Sequence, residues 1–108
     1  IHCYFKHGHL EKVYENTLAH RLRKKGILTE QQVPLNIFDE DGTLVGEYVA
    51  DLLFDKRLII EIKACKALNE DHVAQIIGYL RGARIEHGLL INFGAPKFQI
   101  QKYILSDF

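Results

Sequence analysis

Asp51, Glu61 and Lys63 are the residues best able to do chemistry in this chain, and they sit where charges are out of place. The run ADLLFDKRLIIEIKA, from Ala50 to Ala64, is otherwise dominated by Leu, Ile and Ala around a short polar stretch, the pattern of a tight β-hairpin. Side chains two apart on a strand share a face, so Glu61 and Lys63 point one way while Ile60 and Ile62 point the other. On the first arm Glu47, Val49, Asp51 and Leu53 are expected to share a face. A three-residue loop, Asp55-Lys56-Arg57, pairs Phe54 with Leu58; it sets Asp51 opposite Glu61 and Val49 opposite Lys63. A two-residue loop would turn Asp51 away. The three-residue register is the expectation. Two opposed carboxylates repel by a few tenths to ~1 kcal/mol on a wet surface, and by more when buried. A divalent cation between them reverses that sign, because hard Mg²⁺ or Mn²⁺ takes carboxylate oxygens. Lys63 would then stand beside a metal-bound water or a scissile phosphate, where it can stabilise developing negative charge. The plainer alternative is a solvent-facing sheet edge carrying ordinary surface charge pairs.

Two helices are expected to bring polar groups to this hairpin. On a wheel of 100° per residue the first helix centres its apolar stripe on Leu10, Tyr14 and Leu18. Glu11 falls inside that stripe, and a lone inward acid needs a partner. The second helix carries His72, Gln75 and Tyr79 as a polar strip beside its apolar one. Gln75 can hydrogen-bond a phosphate, a water or a ligating carboxylate, with Tyr79 behind it.

The elements that would position these groups follow in the order α-β-β-β-α-β-β. A helical pattern of Leu10, Val13, Tyr14, Leu18 and Leu22 runs from Gly8 to its stop at Gly26. Strands are expected over Glu30–Phe38 and Val45–Phe54, with turn residues Asp39 to Gly42 between them, and over Leu58–Ala64. Asn69 can cap a helix over Glu70–Arg84 whose stripe is Val73, Ile76, Ile77 and Leu80. Strands His87–Phe93 and Lys97–Leu105 close the chain around Gly94-Ala95-Pro96.

Four short segments in this order resemble the GxxExxY family within the PD-(D/E)XK nuclease superfamily. Gly8 to Tyr14 fits the name motif, and Gly46 to Leu53 resembles the segment around the metal-ligand aspartate. Glu61-Ile62-Lys63 matches the (D/E)XK element, and Gln75 to Tyr79 resembles the QxxxY motif of RecB-type nucleases. Ala50 stands where the superfamily name places Pro. The resemblance implies an α/β, restriction-endonuclease-like α-β-β-β-α-β core, a mixed central sheet flanked by helices, over residues 1–108 as a single domain. It implies Asp51, Glu61 and the Ile62 backbone carbonyl as metal ligands. Glu11 would be a further ligand or water-orienting acid, Lys63 the catalytic lysine, and Gln75 and Tyr79 supporting groups alongside His72. The implied activity is Mg²⁺- or Mn²⁺-dependent hydrolysis of nucleic-acid phosphodiester bonds, with DNA favoured.

The totals are compatible with this without demanding it. The 108 residues are 47% apolar and 26% charged, enough for one compact domain. Lys plus Arg equals Asp plus Glu at 14 each, so no strong overall field draws the chain to nucleic acid. Local cations could still hold phosphates: Arg21, Arg23, Lys24 and Lys25 at the end of the first helix, and Arg81 and Arg84 on the second. No apolar run approaches the ~18 residues of a membrane span. Cys3 and Cys65 read as free thiols in a reducing cytoplasm. The histidines, His7, His9 and His20 among them, read as surface imidazoles rather than zinc ligands. The chain opens on Ile1, so native residues are expected to precede it. Two rival readings are a nuclease-fold module that binds nucleic acid or protein without turnover, and a homodimer pairing through an edge strand or the Gly94-Ala95-Pro96 turn.

Overall fold

A computed structural model describes residues 10–105. Helix α1 covers Glu11–Lys24, β1 Thr29–Phe38, β2 Leu44–Phe54, β3 Leu58–Lys63, α2 Glu70–Ala83, β4 His87–Asn92 and β5 Gln99–Ile104. The five strands form one mixed sheet in the order β1-β2-β3-β4-β5. Only β3 and β4 run parallel, joined by the crossover through α2; the other neighbours are antiparallel. Each expected element is present, with ends moved by a few residues.

Local chemistry explains the boundaries. Gly26, at φ 80°, ends α1 in a Schellman motif, in which Ile27 N–H donates to Leu22 O and Gly26 N–H to Arg23 O. Asn69 opens α2 with a capping box: its side chain accepts from His72 N–H, and its own N–H donates to His72 Nδ1. The β2–β3 loop has three residues, with Phe54 paired to Leu58 and both Asp55 and Lys56 in the left-handed region.

The helices lie on opposite faces of the sheet. Tyr14 and Ala19 of α1 pack on Leu52, Ile60, Ile62, Ile91 and Phe93. Leu80 of α2 packs on Leu35, Ala50, Leu53 and Ile59. The central strand β3 is therefore greasy on both sides, the reason LIIEIK reads as an almost continuous apolar run. Leu10 is 79% exposed, so the apolar stripe of α1 starts at Tyr14 rather than Leu10. Helix α1 covers the β1–β3 half of its face. Toward β4 and β5 it leaves a half-open apolar groove of about 650 Å³, with Arg21 and Lys25 on its lining.

The strands invert their facing once. Val33 and Leu35 of β1 join the α2 cluster, yet Gln31, only two residues before Val33, reaches Glu15 of α1. Gln32 stands between them at φ 52°, a left-handed backbone that breaks the alternation. Its would-be partner is Asp51, and the β1–β2 ladder skips this pair. Beyond it Ala50 faces α2, as does Leu53 on the other side of the break. Strict alternation placed Glu47 and Val49 with Asp51 and Leu53; instead Tyr48 and Ala50 take the α2 side.

Candidate active site

The two acids meet at the end of the β2–β3 ladder. Regular pairing stops at Leu52 and Ile60, and the carboxylates take over the next backbone donors. Asp51 N–H donates to Glu61 Oε1 at 3.3 Å, and Ile62 N–H donates to Asp51 Oδ2 at 2.8 Å. Each acid is thus tied to the opposite strand by one oxygen. A strand residue turns its N–H and C=O toward the same neighbour, so the Ile62 carbonyl also faces β2. Val49 and Lys63, expected to oppose each other, lie past the end of this ladder.

Burial makes the pair electrostatically tense. Glu61 is only 4% exposed. Desolvation first, and the Asp51 charge second, push its carboxyl from 4.5 up to about 8. At neutral pH Glu61 therefore keeps its proton. That is the condition a divalent cation relieves, since it can replace the proton and satisfy both carboxylates.

Helix α2 supplies the next layer on the same face. Lys63 Nζ donates to Gln75 Oε1 at 2.7 Å, and Gln75 Nε2 donates to Tyr79 Oη at 3.1 Å. The amide thereby fixes the ammonium and is itself fixed by the phenol. Burial, then the nearby Glu61 charge, raises the Tyr79 hydroxyl above 10.0 and keeps it protonated. The Tyr79 ring also meets Tyr48 at 4.8 Å between centroids. His72 uses Nδ1 as the capping acceptor, so its role is to start the helix; its imidazole still lies within electrostatic reach of Glu11.

Glu11 comes from the other helix, at its first turn. Partial desolvation raises its carboxyl above 4.5, while Lys63 pulls the other way and Asp51 pushes it up again. It therefore borders the acid pair. It is not gathered with them into a metal-binding group: among the described residues no three His, Cys, Asp or Glu side chains form one. Gly8 and His9 of the same motif lie outside the described residues.

The acid that α1 buries is Glu15, one turn further on. It is 3% exposed and accepts from Gln31 and Gln32 Nε2, each at 2.6 Å, and from Lys12 Nζ at 3.0 Å. This network seats α1 on β1 beside Asp51. The adjacent glutamines of β1 were the available sequence signal, as two amides in a strand that would need an acceptor.

Asn92 is the other unforeseen residue. It is fully buried and satisfied by Cys65 N–H, Cys65 O, Gly94 N–H and Gln99 Oε1. It stands opposite Lys63 in the parallel ladder, so it fixes the path by which the chain leaves β3. Gly94 is required there because a Cβ would overlap the backbone of Ala64 and Cys65. Gly94 is half-buried and Ala95 buried, while Pro96 of the same turn is exposed. Cys65 is a free thiol with Sγ near Ala67 O, and Cys3 lies outside the described residues.

The basic residues expected to hold phosphates lie along the helices beyond the acids. Arg21, Lys24 and Lys25 sit ten or more residues along α1 from Glu11, about 15 Å or farther at helical rise. Arg23 is already engaged, donating to Thr29 O at 3.1 and 2.9 Å and to Gln31 Oε1 at 3.0 Å. Arg81 and Arg84 lie at the far end of α2 from Gln75.

A metal fits this donor set. Two hard carboxylates side by side and a carbonyl on the open side of β3 are oxygen ligands of the kind Mg²⁺ and Mn²⁺ take with several waters. No helix among the described residues is long and apolar enough to cross a membrane.

Comparison with known proteins agrees with this geometry. The solved structure titled "Crystal structure of SSO0001" superposes with a TM-score of 0.68 at 19% identity, over 89% of this chain and 51% of that one. The chain thus spans about half the length of that structure, and the likeness establishes a shared α/β fold. No curated protein matches the sequence. A family model described as the PD-(D/E)XK nuclease superfamily matches residues 1–103, and the chain belongs to that superfamily.

Proposed function

We propose that this chain is a Mg²⁺- or Mn²⁺-dependent nuclease of the GxxExxY type that hydrolyses phosphodiester bonds, with DNA as the favoured substrate. The observation that carries this reading is the meeting of half-buried Asp51 with buried Glu61 at an opened ladder, with Lys63 on the same strand as Glu61. Asp51, Glu61 and the Ile62 carbonyl would hold the cation, which supplies Lewis-acid charge at the phosphate and a more acidic water. Lys63, held by Gln75, places a second positive charge where the phosphoryl oxygens gain negative charge. Glu11, which borders the acid pair, would accept a hydrogen bond from the attacking water, and its raised proton affinity suits it to take the proton. Tyr79 keeps the amide oxygen of Gln75 toward Lys63 by accepting from the amide nitrogen. The presence of both acids and the lysine favours turnover over a scaffold that only binds.

The test is cleavage of single- and double-stranded DNA and of RNA by purified protein in Mg²⁺, Mn²⁺ or EDTA, beside Lys63→Ala and Asp51→Ala. The expected result is metal-dependent cleavage that falls by at least about a hundredfold in either variant. Wild-type cleavage in EDTA, or full activity in Lys63→Ala, would overturn these roles.

A further inference from the structure

Tyr48 has no part in the scheme above, yet it stands at the rim of the same site. It lies three residues before Asp51 on β2, about 10 Å along the strand. The inversion at Gln32 and Asp51 turns it to the α2 side, with Ala50 and Leu53 and with the acids. Its ring leans on Tyr79 at 4.8 Å and 40°, and Tyr79 is joined through Gln75 to Lys63. Yet 47% of Tyr48 remains exposed, on a stretch from Leu44 to Val49 that is open throughout. The ring is braced by Tyr79, and nearly half of the residue stays open to solvent. A core-filling tyrosine would be buried.

Building on the nuclease reading, we propose that Tyr48 is a stacking platform for an unpaired nucleobase next to the phosphate held at Asp51, Glu61 and Lys63. The substrate class it selects is nucleic acid with a single-stranded or frayed nucleotide at that position. Bases within a duplex stack on each other and expose no face to a side chain, so Tyr48 can act only on a base already free or drawn out. Stacking on an aromatic ring tolerates every base, which suits a site whose described residues include no base-reading element. The separation from Asp51 is one that a nucleotide's sugar and base can span. Tyr79 gives the platform rigidity, since a braced ring loses less freedom when a base covers it.

The experiment measures binding separately from cleavage. Fluorescein-labelled single-stranded oligodeoxynucleotides are titrated in Mn²⁺ with Lys63→Ala protein, which retains the metal ligands, and with the same protein also carrying Tyr48→Phe or Tyr48→Ala. The oligonucleotides are a mixed-sequence strand, its duplex, and a strand with abasic positions throughout. Removing the ring is expected to weaken single-strand binding by roughly five- to a hundredfold, while Tyr48→Phe binds like its parent. The abasic strand should bind weakly and equally to all three proteins. Equal single-strand affinity in Tyr48→Ala overturns the proposal, and so does an equal loss on the abasic strand, which would mean a merely structural role. Circular dichroism of each variant confirms that the fold is kept. Wild-type cleavage on the same strands tests the nuclease reading by itself: an uncleaved strand that still depends on the Tyr48 ring for binding would remove the enzyme and keep the platform.

Discussion

Glu61→Gln should make the protein more stable at alkaline pH, and the size of the effect follows from the burial of Glu61 beside Asp51. In the folded chain Glu61 keeps its proton to about 8, chiefly through burial and then through the Asp51 charge. The unfolded chain releases that proton near 4.5, the ordinary glutamate value. A raised carboxyl favours folding below 4.5 and loses that contribution as pH climbs toward 8, because the unfolded state then holds fewer protons. At ~1.4 kcal/mol for each pH unit between the two values, the loss is about 3–5 kcal/mol, a large part of the 5–15 kcal/mol of a typical domain. Glutamine keeps the shape and an acceptor oxygen for Asp51 N–H but cannot ionise. Urea unfolding in EDTA at pH 4.5, 6, 7, 8 and 9 should therefore show the two proteins alike at the acid end, with the variant ahead by about 3–5 kcal/mol at the alkaline end. Saturating Mn²⁺ should restore much of the wild-type deficit, about 2.7 kcal/mol at a hundred times Kd, and do far less for the variant. Parallel curves for the two proteins across the whole range would refute the burial argument for Glu61.

Other expectations concern the supports of the site. Mn²⁺ affinity, measured by calorimetry, should rise up to about tenfold per pH unit from pH 6 and flatten near 8, because the cation displaces the proton of Glu61. Glu15→Ala should lose about 2–4 kcal/mol in urea unfolding, since it strands two glutamine donors and Lys12 beside α1. Arg84→Gly should gain up to about 1 kcal/mol in the same assay: Arg84 ends α2 at φ 58°, a left-handed backbone that glycine adopts at less cost.

The parts of this molecule legible in its sequence are those fixed by local chemistry. The hairpin register could be read because Asp55-Lys56-Arg57 is a polar interruption of set length between apolar arms, and counting back from Phe54 and Leu58 opposes the acids. The stop at Gly26 and the cap at Asn69 are similarly local. The rest depends on contacts between distant segments. Glu11 and Glu15 are one turn apart on the same side of α1, and a helical wheel cannot say which is buried; Gln31 and Gln32, arriving from β1, decide it. No glycine marks the inversion at Gln32, so strict alternation ran through it and gave Tyr48 the wrong side. Linear proximity also hides helix direction: the first turn of α1 borders the acids and its last turn borders the apolar groove, so Arg21 and Lys25 stand some way along the helix from the site.

The three-residue loop has a consequence for how this protein can change over time. Slipping β3 by one residue would separate Asp51 from Glu61, but it would also exchange the two faces of the strand. Glu61 would turn toward Tyr14 and Phe93, which stack at 4.7 Å, while Ile60 and Ile62 left that cluster. The acids are held in confrontation by the oil around them rather than by the turn that joins them. Asp55, Lys56 and Arg57 can thus drift in sequence so long as their number stays three and the first two tolerate a left-handed backbone, and a lineage that kept the core would keep the site's geometry as a by-product.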